Sequence, residues 1–314
     1  MRLISASPGV SLARVGPGGS SVLRVGAVQH RWHPDPDEHR DALAEGVRTA
    51  ANAGARLICL QELTLSPYFA ATDEGPRPGC LPEPLVGGPT TVFAGGLARE
   101  TGCYVHASLW EEQPGRSLGL NTAVVMAPDG TMAGRTRKLH IPITAGYHED
   151  RYFEPGPAEG AVRPLRIDDV DLGFPTCWDQ WFPELVRLYS LAGASVLVYA
   201  TAIGSEPDHP DFDTEPLWES VMIGNGVANG TFMVAVNRTG TEGRLTFYGS
   251  SFISDPYGRK LAQAPRDEPA VLVADLDISQ RDDWLALFPF LTTRRPDVYA
   301  ALGLAEPQAH PAAG

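Results

Sequence analysis

Residues 170–200 decide the fold, and they read VDLGFPTCWDQWFPELVRLYSLAGASVLVYA. The apolar spacing predicts a strand over residues 170–176, a helix over 183–192 and a second strand over 195–200. A strand, a helix and a strand in this order are typical of an α/β layered domain. Cys177 stands at the turn between the first strand and the helix.

The same alternation continues on both sides of this segment. The pattern predicts strands over residues 23–29, 56–60, 104–110, 121–127, 131–138, 232–237 and 246–254, and helices over 38–53, 89–102 and 217–228. Turn sequences at residues 128–130 and 255–258 predict two hairpins. We therefore expect an α/β fold with mixed sheets, in a single domain over residues 22–303.

The two ends of the chain differ from this domain in composition. Residues 1–21 are rich in glycine and lack the apolar run of a signal peptide, so we expect a flexible leader. Residues 304–314 have a similar composition, and we expect a flexible tail.

Composition and motifs exclude several classes of function. The net charge of −13 disfavours nucleic-acid binding, because an acidic surface repels phosphate backbones. The four cysteines form no C-x-x-C pair, which indicates reduced thiols of a cytoplasmic protein and neither disulfides nor a zinc site. No apolar run is long enough to span a membrane. His30 and His33 have no companion ligands, so surface histidines are expected and no metal site is predicted.

Cys177 is a candidate nucleophile. At the start of a helix, backbone N–H groups favour a thiolate and can hold an oxyanion, which suits attack on a carbonyl carbon. The alternative is a buried structural cysteine, which is the more common state of a free thiol. Cys59, inside the predicted strand 56–60, fits that alternative.

Two charged residues follow other predicted strands. Glu62 comes just after strand 56–60, at the carboxyl end where α/β sheets place their sites, and a carboxylate there can act as a general base. Lys138 ends the strand 131–138, where its cation can hold a developing oxyanion. An exposed loop glutamate and a surface lysine are the alternatives, and spacing alone does not exclude them.

Four motifs contain or adjoin these residues: Gln61-Glu62-Leu63, Arg137-Lys138-Leu139-His140-Ile141-Pro142, Glu149-Asp150-Arg151-Tyr152-Phe153-Glu154-Pro155-Gly156 and Cys177-Trp178-Asp179-Gln180-Trp181-Phe182-Pro183-Glu184. In their order and spacing they resemble the nitrilase superfamily of carbon–nitrogen hydrolases. The similarity extends over residues 23–302, nearly the whole predicted domain.

This resemblance implies a four-layer α-β-β-α sandwich and a cysteine-dependent amidohydrolase that needs no metal or organic cofactor. By the roles of that superfamily, Cys177 is the nucleophile, Glu62 the general base and Lys138 the group that stabilises the tetrahedral intermediate. Glu149 matches a second glutamate that orients the substrate, and the backbone N–H of Trp178 joins Lys138 at the oxyanion.

Within the superfamily, the N-carbamoyl amidohydrolases are the most similar group. The runs at residues 201–207, 237–242, 247–252 and 294–299 are similar to those of N-carbamoylputrescine amidases and bacterial β-ureidopropionases. Gln180 and Trp181 occupy the places where D-amino-acid carbamoylases have paired arginines, which disfavours that activity. Pro175 departs from the plain aliphatic strand of the family and would remove a ladder hydrogen bond beside the site.

The far end of the substrate stays open at this point. Glu206 is a candidate for binding an amine, although a solvated acidic loop is the alternative for its neighbours. Arg238 would instead clamp a carboxylate if it faces the pocket, as a β-ureidopropionase requires. An ω-amidase or aliphatic amidase and a non-catalytic binding protein on the same fold are the other readings.

Tyr68, Trp178 and Gln180 complete the candidate substrate-binding residues. Tyr68 lies in a long turn-rich stretch over residues 66–89, and long loops in compact domains are often functional. We expect a small-molecule substrate as the partner and, by the resemblance, a homodimer or larger homo-oligomer. The aromatic residues 284–290 are a candidate contact, with core packing as the equal alternative.

Overall fold

The computed structural model describes residues 1–15, 21–72 and 80–304. The strands of these residues are β1 (Arg2–Ala6), β2 (Val22–Gln29), β3 (Leu57–Cys59), β4 (Tyr104–Glu111), β5 (Leu120–Met126), β6 (Met132–Arg137), β7 (Ile143–Thr144), β8 (Tyr147–His148), β9 (Leu165–Ile167), β10 (Val170–Gly173), β11 (Val196–Ala200), β12 (Phe232–Val236), β13 (Thr239–Glu242), β14 (Leu245–Tyr248), β15 (Phe252–Ser254), β16 (Lys260–Gln263) and β17 (Ala270–Asp277). The α-helices are α1 (Pro36–Asn52), α2 (Pro89–Thr101), α3 (Pro183–Leu191), α4 (Glu215–Asn229), α5 (Ser279–Leu287) and α6 (Pro296–Tyr299). Short 3-10 turns are formed by Phe69–Ala71, Glu149–Arg151, Cys177–Trp181 and Ala300–Leu304.

Two mixed sheets carry the architecture. The larger has the strand order β1-β17-β2-β3-β4-β5-β6, and the smaller has the order β16-β15-β12-β11-β10-β9. The central strands β2, β3 and β4 run parallel in the larger sheet, and β10, β11 and β12 do so in the smaller. Neighbouring parallel strands must be joined by a crossover connection, and the four crossovers here contain α1, α2, α3 and α4, one helix in each. The predicted α/β fold with mixed sheets is confirmed.

An inner apolar layer lies between the two sheets, and helices cover their outer faces. Cys59 of β3 and Val198 of β11 are fully buried in the inner layer. Because side chains alternate across a strand, their neighbours Ile58 and Leu197 point outward. Ile58 packs with residues of α1 and α2, and Leu197 packs with residues of α3 and α4. This confirms the four-layer α-β-β-α sandwich, and Cys59 is the buried structural thiol.

Strand ends position the candidate site. Glu62 follows β3 and Lys138 follows β6, both in the larger sheet, whereas Cys177 follows β10 of the smaller sheet. These strands all run toward the same end of the sandwich, where the three residues meet. Strand β10 stops at Gly173, and its pairing with β11 resumes only at the isolated bridge between Thr176 and Ala200. Pro175, which has no N–H to donate, lies in this gap, as expected of a proline beside the site.

The first residues of the chain form a strand and not the flexible leader expected over residues 1–21. β1 pairs parallel with β17 at the edge of the larger sheet, and the N-terminal ammonium binds Glu45 at 3.1 Å. Farther along, Arg14 binds Asp277 and Asp283, each at 2.9 Å. The reason is long-range pairing with β17, which local composition does not reveal. Residues 16–20, and residues 305–314 of the expected tail, lie outside the described residues.

The aromatic segment at residues 284–290 is divided between core and surface. The Trp284 indole donates to the Val227 carbonyl at 2.9 Å, whereas Leu287 and Phe288 are 57% and 47% exposed. Among the helices of the described residues, none has the length and apolar composition to cross a membrane.

Candidate active site

Cys177 sits on a strained turn between the smaller sheet and α3. Thr176 bridges to Ala200 of β11, and the 3-10 turn Cys177–Trp181 starts at the next residue. The φ of Cys177 is +38°, a left-handed conformation that costs a non-glycine residue about 1–3 kcal/mol. Such strain persists only where the surroundings hold it, and it is common at functional sites.

Asp179 fastens this turn to the segment that carries Lys138. Its Oδ2 accepts the Thr176 N–H at 3.1 Å, and its Oδ1 accepts the N–H groups of Leu139 and His140 at 3.2 and 3.0 Å. The same oxygen lies 2.8 Å from His140 Nδ1. Because Asp179 is fully buried, these bonds hold the two sheets' contributions to the site in one arrangement.

The centre of the site is a buried lysine between two buried carboxylates. Lys138 Nζ donates to both oxygens of Glu149, at 2.7 and 2.8 Å, and to Glu62 Oε1 at 3.0 Å. The side chains of all three residues are at most 1% exposed. Asn121 also donates to Glu62 Oε1, at 2.7 Å. Glu62 Oε2 has no hydrogen-bond partner among the described residues, so this oxygen is available to take a proton.

Burial and charge set the protonation states around the lysine. Burial alone would lower the pKa of Lys138, but the charges of Glu149 and Glu62 outweigh it and raise that pKa. Burial raises the pKa of Glu149 to about 7, against the opposing effect of Lys138. Lys138 is therefore a permanent cation, whereas Glu149 titrates near neutral pH.

The thiol of Cys177 is protonated in the resting site. Burial, reinforced by the charge of Glu62, raises the pKa of Cys177 well above its usual range, and Lys138 offsets only part of this effect. The N–H groups that follow Cys177 were expected to favour the thiolate, whereas burial shifts the pKa of this thiol in the opposite direction. A base must therefore remove the proton during the reaction, and Glu62 adjoins the thiol closely enough to influence it.

Glu206 and Trp178, the residue that follows Cys177 in the chain, line a cavity of about 170 Å³. Its other lining residues are Thr144, Tyr147, Trp181, Ile203, Thr214 and Leu217. Glu206 accepts a hydrogen bond from Thr214 at 3.2 Å, and no arginine or lysine of the described residues pairs with it. Burial raises the pKa of Glu206, so a cation bound next to it would favour its ionised form.

Tyr68 and Gln180 are buried beside the centre and act on their neighbours. The Tyr68 hydroxyl donates to Glu149 Oε1 at 2.8 Å. Gln180 Oε1 accepts the Trp218 indole N–H at 2.8 Å, whereas Gln180 Nε2 has no partner among the described residues. Tyr68 is thus a direct partner of Glu149, whereas the Gln180 side chain accepts from Trp218 and keeps one donor without a partner among the described residues.

Arg238 does not face the cavity, so its predicted use as a carboxylate clamp is wrong. It is fully buried, and its Nη1 donates to Glu242 Oε1 at 2.6 Å. Its Nη2 donates to the main-chain carbonyls of Glu62, Leu63 and Ser66 at 2.7, 3.2 and 3.3 Å. Buried carbonyls attract the guanidinium inward, and its five donors suit such a cluster.

Sequence reasoning missed Asn121, Tyr147 and the binding role of Asp179. Asn121 is the second residue of β5 and bears no local signal that would connect it to Glu62. Tyr147 contributes to the cavity wall, and its hydroxyl accepts the Gly204 N–H at 2.9 Å. Asp179 is the one residue with a signal, because an acidic side chain three positions into a turn commonly caps it.

Two other features lie apart from this site. His30, expected at the surface, is 4% exposed and stacks on His33 with ring centroids 5.0 Å apart. Burial lowers the pKa of His30 to about 3, so its ring is neutral. A larger cavity, of about 390 Å³, opens between β6 and residues 157–165 and contains none of the candidate site residues.

Comparison with known proteins supports the same chemistry. Residues 24–285 match the family model described as carbon-nitrogen hydrolase. Over 293 residues the chain is 36% identical to N-carbamoylputrescine amidase of Solanum tuberosum, covering 90% of this chain and 95% of that protein. It is 34% identical to citrullinase of Francisella tularensis over 281 residues, covering 88% and 96%. The crystal structure of a carbon-nitrogen hydrolase from Helicobacter pylori G27 aligns with a TM-score of 0.81 at 32% identity, covering 90% of this chain and 98% of that one.

Proposed function

The chain belongs to the carbon–nitrogen hydrolase family, and on that premise we propose that it hydrolyses a small N-carbamoyl amine whose far end is cationic. The family makes it an amidohydrolase of non-peptide C–N bonds. The observation that carries the proposal is the cavity lined by Trp178, the neighbour of Cys177 in the chain. Glu206 lies in the wall of this cavity, while Arg238 is turned away from it.

The first half of the reaction forms a covalent intermediate. Glu62 Oε2 takes the proton of the Cys177 thiol while the sulfur attacks the ureido carbonyl carbon. The negative charge that develops on the carbonyl oxygen rests on Lys138 Nζ and the backbone N–H of Trp178. This N–H is at the start of a 3-10 turn, where donors have no partner within the turn. Glu62 returns the proton to the leaving nitrogen, the C–N bond breaks, and ammonia departs.

The second half of the reaction hydrolyses the covalent intermediate and regenerates the free thiol. Glu62 takes a proton from water, and the hydroxide attacks the carbonyl carbon of the carbamoyl-thiol intermediate. The C–S bond then breaks, and the sulfur recovers its proton from Glu62. The product carbamate loses carbon dioxide and leaves the free amine. Glu149, held by Lys138 and Tyr68, orients the substrate nitrogen, and no metal or organic cofactor takes part in this sequence.

A positive charge at the far end of the substrate fits the loop that follows β11. Asp208 pairs with Arg244 and Asp213 pairs with Arg266, and all four side chains are at least half exposed. Glu206 differs from them because it lines the cavity and has no cationic partner there. An amine or ammonium group bound at this point would supply the missing partner. A carboxylate would find no buried cation in the same wall.

Ammonia and carbon dioxide release from a substrate panel tests the proposal. The panel contains N-carbamoylputrescine, N-carbamoyl-β-alanine, L-citrulline and an ω-amide. We expect both gases from N-carbamoylputrescine, at a higher kcat/KM than from N-carbamoyl-β-alanine. Ammonia without carbon dioxide would identify an amidase instead, and preference for N-carbamoyl-β-alanine would refute the cationic far end. Cys177→Ala should abolish turnover, and retained activity would refute the mechanism.

Glu206→Gln tests the contact with the far end directly. A hydrogen bond to a charged group contributes about 1.5–3 kcal/mol, and Glu206 is only half buried, so we expect roughly a tenfold loss in kcat/KM for N-carbamoylputrescine. For butylurea, which lacks the terminal amine, kcat/KM should be the same in Glu206→Gln and in the parent. Asp208→Asn is the matched control in the same loop, and an equal loss there would contradict the assignment to Glu206.

Self-association and a cytoplasmic location are further proposals. The exposed Leu287 and Phe288 beside α5 offer apolar surface of the kind that subunit contacts cover. Light scattering on the purified protein would measure the assembly, and a monomer at all concentrations would contradict it.

A further inference from the structure

Arg238 joins the main chain around Glu62 into one buried cluster. Leu63, the next residue, has a φ of +49°, which is a left-handed conformation for a residue that is not glycine. The carbonyls of Glu62, Leu63 and Ser66 all point at Arg238 Nη2, at 2.7, 3.2 and 3.3 Å. Without the guanidinium, these oxygens would face one another without a donor between them. Arg238 therefore stabilises the turn that aims the Glu62 carboxylate.

Glu242, the carboxylate that pairs with Arg238, is connected to Glu149 through Tyr68. Glu242 Oε1 accepts from Arg238 Nη1 at 2.6 Å, and its Oε2 accepts the backbone N–H of Tyr68 at 2.7 Å. The hydroxyl of the same Tyr68 donates to Glu149 at 2.8 Å. Glu242 is 7% exposed and Arg238 is fully buried, so water does not replace these bonds.

The geometry points to the Arg238–Glu242 ion pair as the positioning pair of this active site, setting Glu62 through its main chain and Glu149 through Tyr68. The pair contacts neither the thiol nor the cavity, so it acts through the two carboxylates. The pair thereby sets the positions of the Glu62 and Glu149 carboxylates relative to Lys138, to which both are hydrogen-bonded. The inference rests on the proposed roles of Glu62 and Glu149.

The test measures kcat per competent active site, so a loss of folded protein is not mistaken for a loss of positioning. In Arg238→Lys the charge opposite Glu242 remains, but one ammonium cannot serve Glu242 and three carbonyls with the planar fork of a guanidinium. A displacement of about 1 Å at a catalytic group costs roughly 10²-fold in rate. We therefore expect about a 100-fold fall in kcat per competent site with an unchanged KM. Substrate-protected alkylation of Cys177 measures the concentration of competent sites.

Arg281→Lys is the matched control. Arg281 is also a buried arginine that donates to three main-chain carbonyls, those of Ser190, Asn229 and Gly230, at 3.0, 3.0 and 2.9 Å. It lies between α3, α4 and α5, away from the site. We expect Arg281→Lys to lower the melting temperature and to keep the full kcat per competent site.

Glu242→Gln provides an independent variant of the same pair. Its amide keeps one acceptor oxygen and turns a donor toward either Tyr68 or Arg238, so we expect a similar fall in kcat. A full kcat per competent site in Arg238→Lys, or equal losses in Arg238→Lys and Arg281→Lys, would overturn the inference. A raised KM with an unchanged kcat would also overturn it and would favour contact with substrate. An active Cys177→Ala would instead refute the proposed function, which keeps the two failures distinct.

Discussion

Removing the hydroxyl of Tyr68 should move the acid limb of the pH–rate profile to higher pH. The hydrogen bond from this hydroxyl to Glu149 lowers the pKa of that carboxyl, whereas burial raises it to about 7. In the proposed mechanism Glu149 works as a carboxylate, so activity is lost as the pH falls through neutrality. In Tyr68→Phe, Glu149 holds its proton more tightly. The loss of activity should therefore begin at a higher pH.

The size of this shift follows from the contacts of Glu149. A hydrogen bond to a charged group contributes about 1.5–3 kcal/mol, and one pKa unit corresponds to about 1.36 kcal/mol. Lys138 keeps both of its bonds to Glu149, at 2.7 and 2.8 Å, so the lower end of that range applies. We expect a shift of about one pH unit. At a pH well below both midpoints, the variant should be roughly tenfold slower than the parent, and the two should approach one another at high pH.

The assay is kcat/KM for N-carbamoylputrescine, from ammonia release, at pH values on both sides of neutrality. Tyr189→Phe is the control, because Tyr189 is a buried tyrosine whose hydroxyl donates to the Ala161 carbonyl at 3.3 Å, away from Glu149. Its midpoint should match the parent. An acid limb that stays in place in Tyr68→Phe, or moves to lower pH, would refute the reasoning about Glu149.

Three further variants test other parts of the structure. Asp179→Asn replaces one of the two accepting oxygens of Asp179 by a donor, which should displace the Cys177 turn from the segment of Lys138. We expect kcat to fall more than tenfold, as it does when other catalytic groups are displaced. Steady-state kinetics measures kcat, and a parental value would contradict the role of Asp179 in holding the two segments together. Leu43→Ala empties a fully buried position of α1 and should lower the free energy of unfolding by about 2–5 kcal/mol with kcat unchanged, as chemical denaturation and kinetics would reveal. Gly204→Ala places a Cβ 2.3 Å from the Thr246 carbonyl oxygen, so the wall of the cavity must move; kcat/KM should fall, and a parental value would show that the wall tolerates the methyl group.

Local sequence signals predicted helices α1 to α4 and the central strands well, but not α5 and α6. Helix α2 begins at Pro89, and Gly102 ends it with a φ of +69°, because proline suits the first turn and glycine suits the left-handed end. Helix α1 begins two residues before the predicted start, because the Asp35 side chain accepts the N–H groups of Asp37 and Glu38. Both elements depend on neighbours in the chain, so the sequence reveals them.

Long-range contacts are the part that the sequence did not reveal. Strand β17 lies between β1 and β2, which are more than 240 residues away in the chain, and it is absent from the predicted strands. The sequence leaves open which way Arg238 points, and the fold places it against carbonyls of the turn at Glu62, which are 172 to 176 residues away in the chain. Asn121 of β5 reaches Glu62, which follows β3, across the intervening strand β4. The order of the motifs identified the candidate catalytic residues, but only the fold determines which of their atoms remain unpaired.

The inner apolar layer has a consequence for activity, because the nucleophile and its partners belong to different sheets. Cys177 is attached to one sheet and Glu62 and Lys138 to the other, so the thickness of the layer between them sets the gap across which the proton must move. Packed protein interiors yield little to compression. We expect a larger side chain at Val198, or at Cys59, to push the two sheets apart and to widen that gap. Substitutions between the sheets should therefore change the rate of proton transfer, although these residues do not contact the substrate.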